Sequence, residues 1–253
     1  MFSWEYLSHD LVLFLGAVVY VLLVIFIPKM LKDMGKISSF IARKIIHSLA
    51  GLSIFITPYM YYPGLAVFIA LASTIMTRKS GSSSSVKPLK GLYEAISEDE
   101  ELKVGYLQGP FAYSIAITLL VFAFIFWPDK YYIPIAAILI MMFADTAASI
   151  IGRRYGKHHI KIPWVGSKRT VEGSVTFLIL SMILSGLTFF FFGQILPGFS
   201  KTLTTGEVIL LSVIISIAAM VLELFSPSKY DDLIIPIGAT FVTSFFAIIL
   251  SIW

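Results

Sequence analysis

The feature that most constrains this chain is the recurrence of apolar runs of about 17–25 residues, the length a helix needs to cross a bilayer. No stretch between those runs is long enough for a separate soluble domain. The balance of residues agrees: 58% are hydrophobic and only 13% charged, where a soluble domain carries about 25% charged residues. The expected fold is all-α, a polytopic membrane helix bundle forming one membrane-embedded domain over residues 1–253. Eight transmembrane helices are expected, at about 10–28, 41–58, 62–77, 109–127, 131–152, 171–193, 206–225 and 232–252. Gly109-Pro110 opens the fourth, with proline in the first turn where its missing N–H costs nothing.

The N-terminal "MFSWEYLSHD" carries acids and no basic segment, so the first apolar run is expected to stay as a transmembrane helix rather than leave as a signal peptide. The absence of cysteine excludes disulfides, thiolate metal ligands and thiol catalysis. The net charge of +4 is read through loop location, and no nucleic-acid partner is expected. Of the 19 basic residues, all but Lys130 and Lys201 fall in alternate loops. The positive-inside rule makes that basic face cytoplasmic and puts both termini on the opposite side. The two long cytoplasmic loops are 78–108 and 153–170. The first begins "RKSGSSSSVK", which lacks the second glycine and the Ser/Thr of a phosphate-binding loop and reads as a flexible linker. Its acidic run "SEDEE" reads as a solvated surface or a helix start.

Four segments can carry chemistry. Asp145 lies seven residues before Gly152, about 10 Å inside the cytoplasmic end of the fifth helix. An ionisable side chain there is costly and points to function. A structural carboxylate paired with a nearby lysine is the alternative. Ala148, Ser149 and Gly152 follow at helical spacing and let a neighbour approach closely. The second segment, Gly152 to Ser174, combines Gly152, Gly156 and Gly166 with Arg153, Arg154, Lys157, Lys161, Lys168 and Arg169. Arginine forks match phosphate oxygens. Ser167 or Thr170 can cap the sixth helix, whose N–H groups then face an anion. Lys168 and Glu172 lie one turn apart. Basic charge alone fits an ordinary cytoplasmic loop or an anionic-lipid contact; the glycines and Asp145 favour phosphate.

In the third segment, Glu223 to Pro236, Glu223 sits near the end of the seventh helix, and Asp231 and Asp232 open the eighth. One acid there is explained by the helix dipole; the second and the glutamate are not. Carboxylates beside phosphates suggest Mg2+, a hard cation that takes oxygen ligands. In the fourth, Arg43 and His47 are i, i+4 on the second helix, with Lys44 beside them. All four segments fall at cytoplasmic helix ends, where soluble nucleotide meets lipid, whereas a transporter tends to hold its ionisable groups near the midplane.

Four blocks, "RKIIHSLAGL", "GPFAYSIAITL", "ADTAASIIGRRYGK" with "SKRTVEGS", and "ELFSPSKYDDLIIP", together resemble the polyprenol kinase family, which includes dolichol and phytol kinases. Phosphatidate cytidylyltransferases are more distantly similar. The chain departs from the family pattern at Ala144, where glycine is usual. The resemblance implies a membrane kinase that moves the γ-phosphate of CTP to an isoprenoid alcohol such as dolichol, a polyprenol or phytol, in a prokaryotic or organellar membrane. On that reading Asp145, Asp231 and Asp232 hold Mg2+. Asp145, Asp232, Glu223 and His47 are candidate catalytic groups. Arg43, Lys44, Gly152, Arg153, Arg154, Gly156, Lys157, Lys168, Arg169, Glu172 and Gly173 form the nucleotide and phosphate surface. A cytidylyltransferase, a diacylglycerol kinase and a lipid or anion transporter are the competing expectations.

Overall fold

A computed structural model describes residues 3–166, 169–196 and 203–253, apart from the side chain of Glu100. Every apolar run expected to be helical is helical. Six helical segments among the described residues are long and apolar enough to cross a membrane: Trp4–Asp33, Ser39–Tyr59, Tyr132–Tyr155, Val171–Ile195, Thr205–Phe225 and Asp231–Ile249. The chain is a multi-pass membrane protein by this measure. The other two expected spans are shorter, 16 residues at Gly64–Lys79 and 17 at Gln108–Phe124. Each rises only about 25 Å, against a hydrocarbon core of about 30 Å. The chain divides into two compact units, Met1–Phe122 and Ala123–Trp253.

In the first unit α1 is Trp4–Asp33, α2 is Ser39–Ala50 and α3 is Gly64–Lys79. The Ser38 hydroxyl caps α2 by accepting the Ile41 N–H, and α2 runs on as a tighter 3-10 helix over Gly51–Tyr59. The turn between α2 and α3 is fastened by Asp10 of α1. That carboxylate is fully buried and accepts the backbone N–H groups of Tyr61, at 3.1 Å, and Tyr62, at 2.6 Å.

The stretch read as a flexible linker is non-helical over residues 80–86, but the loop that follows it is largely helical. It carries α4, Lys87–Ile96, and α5, Asp99–Val104, and leads to α6, Gln108–Phe124. One face of α4 is apolar, and Leu92, Tyr93, Ala95 and Ile96 pack with Ala17, Val21 and Ile25 of α1 and Ala42 of α2. The acidic run is a helix start, as its spacing allows: Glu98 and Glu101 form a reciprocal capping box on α5. Glu101 is not on a solvated surface, however; it is 4% exposed.

The second unit is built on one long helix. It begins as α7, Tyr132–Leu139, widens into a π-helical turn over Ile140–Ala144, and continues as α8, Asp145–Tyr155. All eight residues of α7 are buried, between α9, Val171–Phe190, and α11, Asp231–Ile249. α10, Thr205–Phe225, packs against both α9 and α11. Small hydroxyl residues line these contacts, including Ser181, Ser185 and Thr188 of α9, Ser216 of α10 and Thr243 of α11. Small side chains let helix backbones approach in a bilayer, where no hydrophobic force drives helix against helix. Between α8 and α9 the chain forms two short antiparallel strands, β1, His159–Ile160, and β2, Arg169–Thr170.

Candidate active site

The second unit gathers four carboxylates from three helices. Asp145 opens α8 directly after the π-helical turn, an irregularity found mostly at functional sites. Glu223 lies two residues before the end of α10 and is 4% exposed. Asp231 and Asp232 begin α11 and are half-buried, as is Asp145. Carboxylate oxygens of Asp145 and Asp232 come within 4.8 Å of each other. Asp145 also lies within electrostatic reach of Glu223 and Asp231. The Asp231 carboxylate accepts the backbone N–H of Asp232 at 2.9 Å, the capping geometry that a first-turn acid favours.

Arg169 of β2 enters this group. Its Nη1 pairs with Glu223 Oε1 at 2.5 Å and its Nη2 donates to Asp231 Oδ2 at 3.3 Å. The side chain is 12% exposed. Read from sequence as a phosphate ligand, Arg169 is placed by the structure as a counter-ion among the acids. The same loop is fastened twice more to the turn between α10 and α11. Trp164 Nε1 donates to the Phe225 carbonyl at 3.1 Å, and the Val165 carbonyl accepts the Ser228 N–H at 2.9 Å.

The glycines of the loop have a packing role. Thr170 caps α9, its hydroxyl accepting the Gly173 N–H at 3.1 Å. A Cβ at Gly152 would sit 2.9 Å from that hydroxyl oxygen, and one at Gly173 would sit 3.0 Å from it. A Cβ at Gly156 would sit 2.6 Å from the Thr170 methyl and would strike the Gly152 carbonyl. Three of the predicted glycines thus close the α8–α9 joint around one buried threonine. Glu172 fastens the far end of the loop, accepting the backbone N–H of His158 and pairing with its Nδ1 at 2.8 Å. Arg153, Arg154 and Lys157 are exposed at the end of α8 and just beyond it. Lys168, and Ser167 as a candidate cap, lie outside the described residues.

In the first unit α2 presents Arg43, Lys44 and His47. Arg43 was expected to face phosphate; its Nη1 pairs with Glu101 Oε2 at 2.5 Å and also donates to the Ile96 carbonyl at 3.3 Å. The other Glu101 oxygen accepts the Gly109 N–H at 2.8 Å. His47 packs beside the Tyr113 ring, and its carbonyl accepts the Tyr113 hydroxyl at 3.0 Å. Lys44 is half-buried on the same helix. Glu101 was missed by sequence reasoning. Its three-residue spacing from Glu98 signals a capping box, but nothing local signals that it is buried against an arginine on another helix.

The donor set fits a hard divalent cation. Among the described residues, Glu223 and Asp231 share the Arg169 guanidinium, and one buried oxygen, Glu223 Oε2, has no hydrogen-bond partner. Carboxylate oxygens are hard ligands of the kind that suits Mg2+.

No family model and no solved structure matches the chain. Similarity to curated proteins is more informative. A protein described as probable phytol kinase 1, chloroplastic, from Glycine max is 25% identical over 217 residues, 81% of this chain and 66% of the relative. A phytol kinase from Synechocystis sp. is 24% identical over 229 residues, 89% of this chain and 88% of the relative. A rice protein described in the same words as the soybean one is 30% identical over 161 residues, and this match spans only 47% of that protein. The similarity to the first two reaches across most of the chain. It agrees with the resemblance to polyprenol kinases borne by the sequence blocks.

Proposed function

We propose that this protein is a membrane lipid-alcohol kinase. It transfers the γ-phosphate of CTP to the hydroxyl of an isoprenoid alcohol of the dolichol, polyprenol or phytol type at the cytoplasmic face of the membrane. The observation that carries the reading is the convergence of Asp145, inside a spanning helix, with Glu223, Asp231 and Asp232 at helix ends beside a basic loop, in a chain similar to phytol kinases. Bound at these carboxylates, Mg2+ supplies charge neutralisation on the nucleotide phosphates, and Asp145 and Asp232 are the residues that would hold it.

The chain's own residues do the rest. Arg153, Arg154 and Lys157 offer positive charge to the leaving nucleoside diphosphate. Fixed charges of this kind act on a phosphoryl transition state without reorganisation. Arg169 keeps the ends of α10 and α11 together, so the acids hold their spacing while substrate comes and goes. The alcohol enters between helices with its chain in lipid and its hydroxyl at the carboxylates. The hydroxyl proton passes to a carboxylate oxygen, and Glu223 Oε2 is the buried one left without a hydrogen bond.

The test uses purified protein with magnesium and a mixed lipid extract containing polyprenols, diacylglycerol and phosphatidic acid. CTP is labelled at the α or the γ phosphate, and label is followed into the organic phase. Transfer from γ and not α is expected, with chromatography naming the alcohol. Transfer from α instead would make the protein a cytidylyltransferase. No transfer from CTP or ATP would remove the kinase reading.

A further inference from the structure

The loop between β1 and β2 contains an apolar stretch, "IPWV", amid basic residues. Its Trp164 is 62% exposed. A tryptophan that merely anchors a protein at the membrane interface keeps its polar N–H in the wet headgroup layer. Trp164 does the reverse. Its N–H is spent inward on the Phe225 carbonyl at 3.1 Å, so the indole is fixed by its edge and offers its face. The next residue, Val165, is buried and tied to Ser228 through both the backbone N–H and the hydroxyl of that serine. Gly166 then turns the chain in the left-handed region at φ 80°. The platform is therefore held rigidly to the end of α10.

Phe225 is two residues beyond Glu223, about 3 Å along the helix axis. Arg169, five residues on from Trp164 in sequence, lies in the carboxylate cluster. Lys157 and Lys161 are exposed on the same connection. An exposed aromatic face beside acids suited to a metal–phosphate complex, with lysines nearby, matches a nucleotide better than a lipid. Every base has a π-face to stack, and the phosphates supply the negative charge.

We propose that Trp164 is the stacking platform for the base of the nucleotide donor. The proposal rests on the kinase reading above. The test is the nucleotide dependence of γ-label transfer by the full-length protein in nanodiscs, comparing wild type, Trp164→Phe and Trp164→Ala, with inorganic tripolyphosphate as a base-free competitor. In Trp164→Ala, KM for the nucleotide should rise about tenfold or more. KM for the alcohol and inhibition by tripolyphosphate should stay at wild-type values. Trp164→Phe, which keeps an aromatic face, should stay within a few-fold of wild type. An unchanged nucleotide KM in Trp164→Ala overturns the proposal. So does a rise confined to the alcohol KM, which would mark a membrane anchor, or an equal weakening of tripolyphosphate inhibition, which would mark a disturbed loop. Absence of transfer by the wild type would instead defeat the kinase reading itself.

Discussion

At the scale of single residues, the proposed chemistry concentrates on Asp145. Its place inside a spanning helix is costly, and the structure supplies company for it: a second carboxylate within 4.8 Å and two more within electrostatic reach. Asp145→Asn keeps the shape and removes the charge. It should insert and purify normally yet lose about 100-fold or more of γ-label transfer; full activity would exclude Asp145 from the site. Chelation with EDTA should abolish transfer by the wild type, and added Mg2+ should restore it where sodium or potassium does not. Arg169 shows how a residue's type can mislead about its job. Arginine in a glycine-rich basic loop reads as a phosphate ligand, but here the fork is engaged by Glu223 and Asp231.

Two joints hold helix ends in place, one within each unit. In the second unit, α8 meets α9 around Thr170, with no room for a side chain at Gly156. Gly156→Ala should cost about 1–3 kcal/mol of stability through overpacking, seen as a lower melting temperature in detergent. Gly64→Ala, where a Cβ would meet nothing within 4 Å, should leave the melting temperature almost unchanged. In the first unit, Glu101 joins α5 to Arg43 of α2 and to the start of α6. Glu101→Ala leaves a largely buried guanidinium and a backbone N–H without their acceptor. Losing one partner of such a pair costs about 3 kcal/mol or more, so this variant should be less thermostable than Glu94→Ala, which alters an exposed residue of α4.

For the whole molecule, the orientation expected from the basic loops can be tested directly because the chain contains no cysteine. Single cysteines at Ser82 and Lys161 should react with a membrane-impermeant maleimide only from the cytoplasmic side. A cysteine at Asp129 should react only from the other side. Reversed labelling would invert the topology and move the proposed donor site to the opposite face.

The sequence alone determined the helical membrane class and the positions of eight helical runs, and it singled out the acids and basic loop of the proposed site. Those signals are local: apolar length, charge alternation and motif order are properties of consecutive residues. Asp145, Glu223, Asp231 and Asp232 were legible for that reason, each being an acid at or inside an apolar run. Tertiary structure decided which side chains face each other. It placed two helices in the 78–108 loop, one buried on its apolar face, because the α1–α2 surface it covers is invisible in a local reading. It also gave Arg43 to Glu101, Arg169 to Glu223 and Asp231, and three glycines to Thr170. A buried charge takes the partner that desolvation forces on it, and that partner lies on another helix, dozens of residues away.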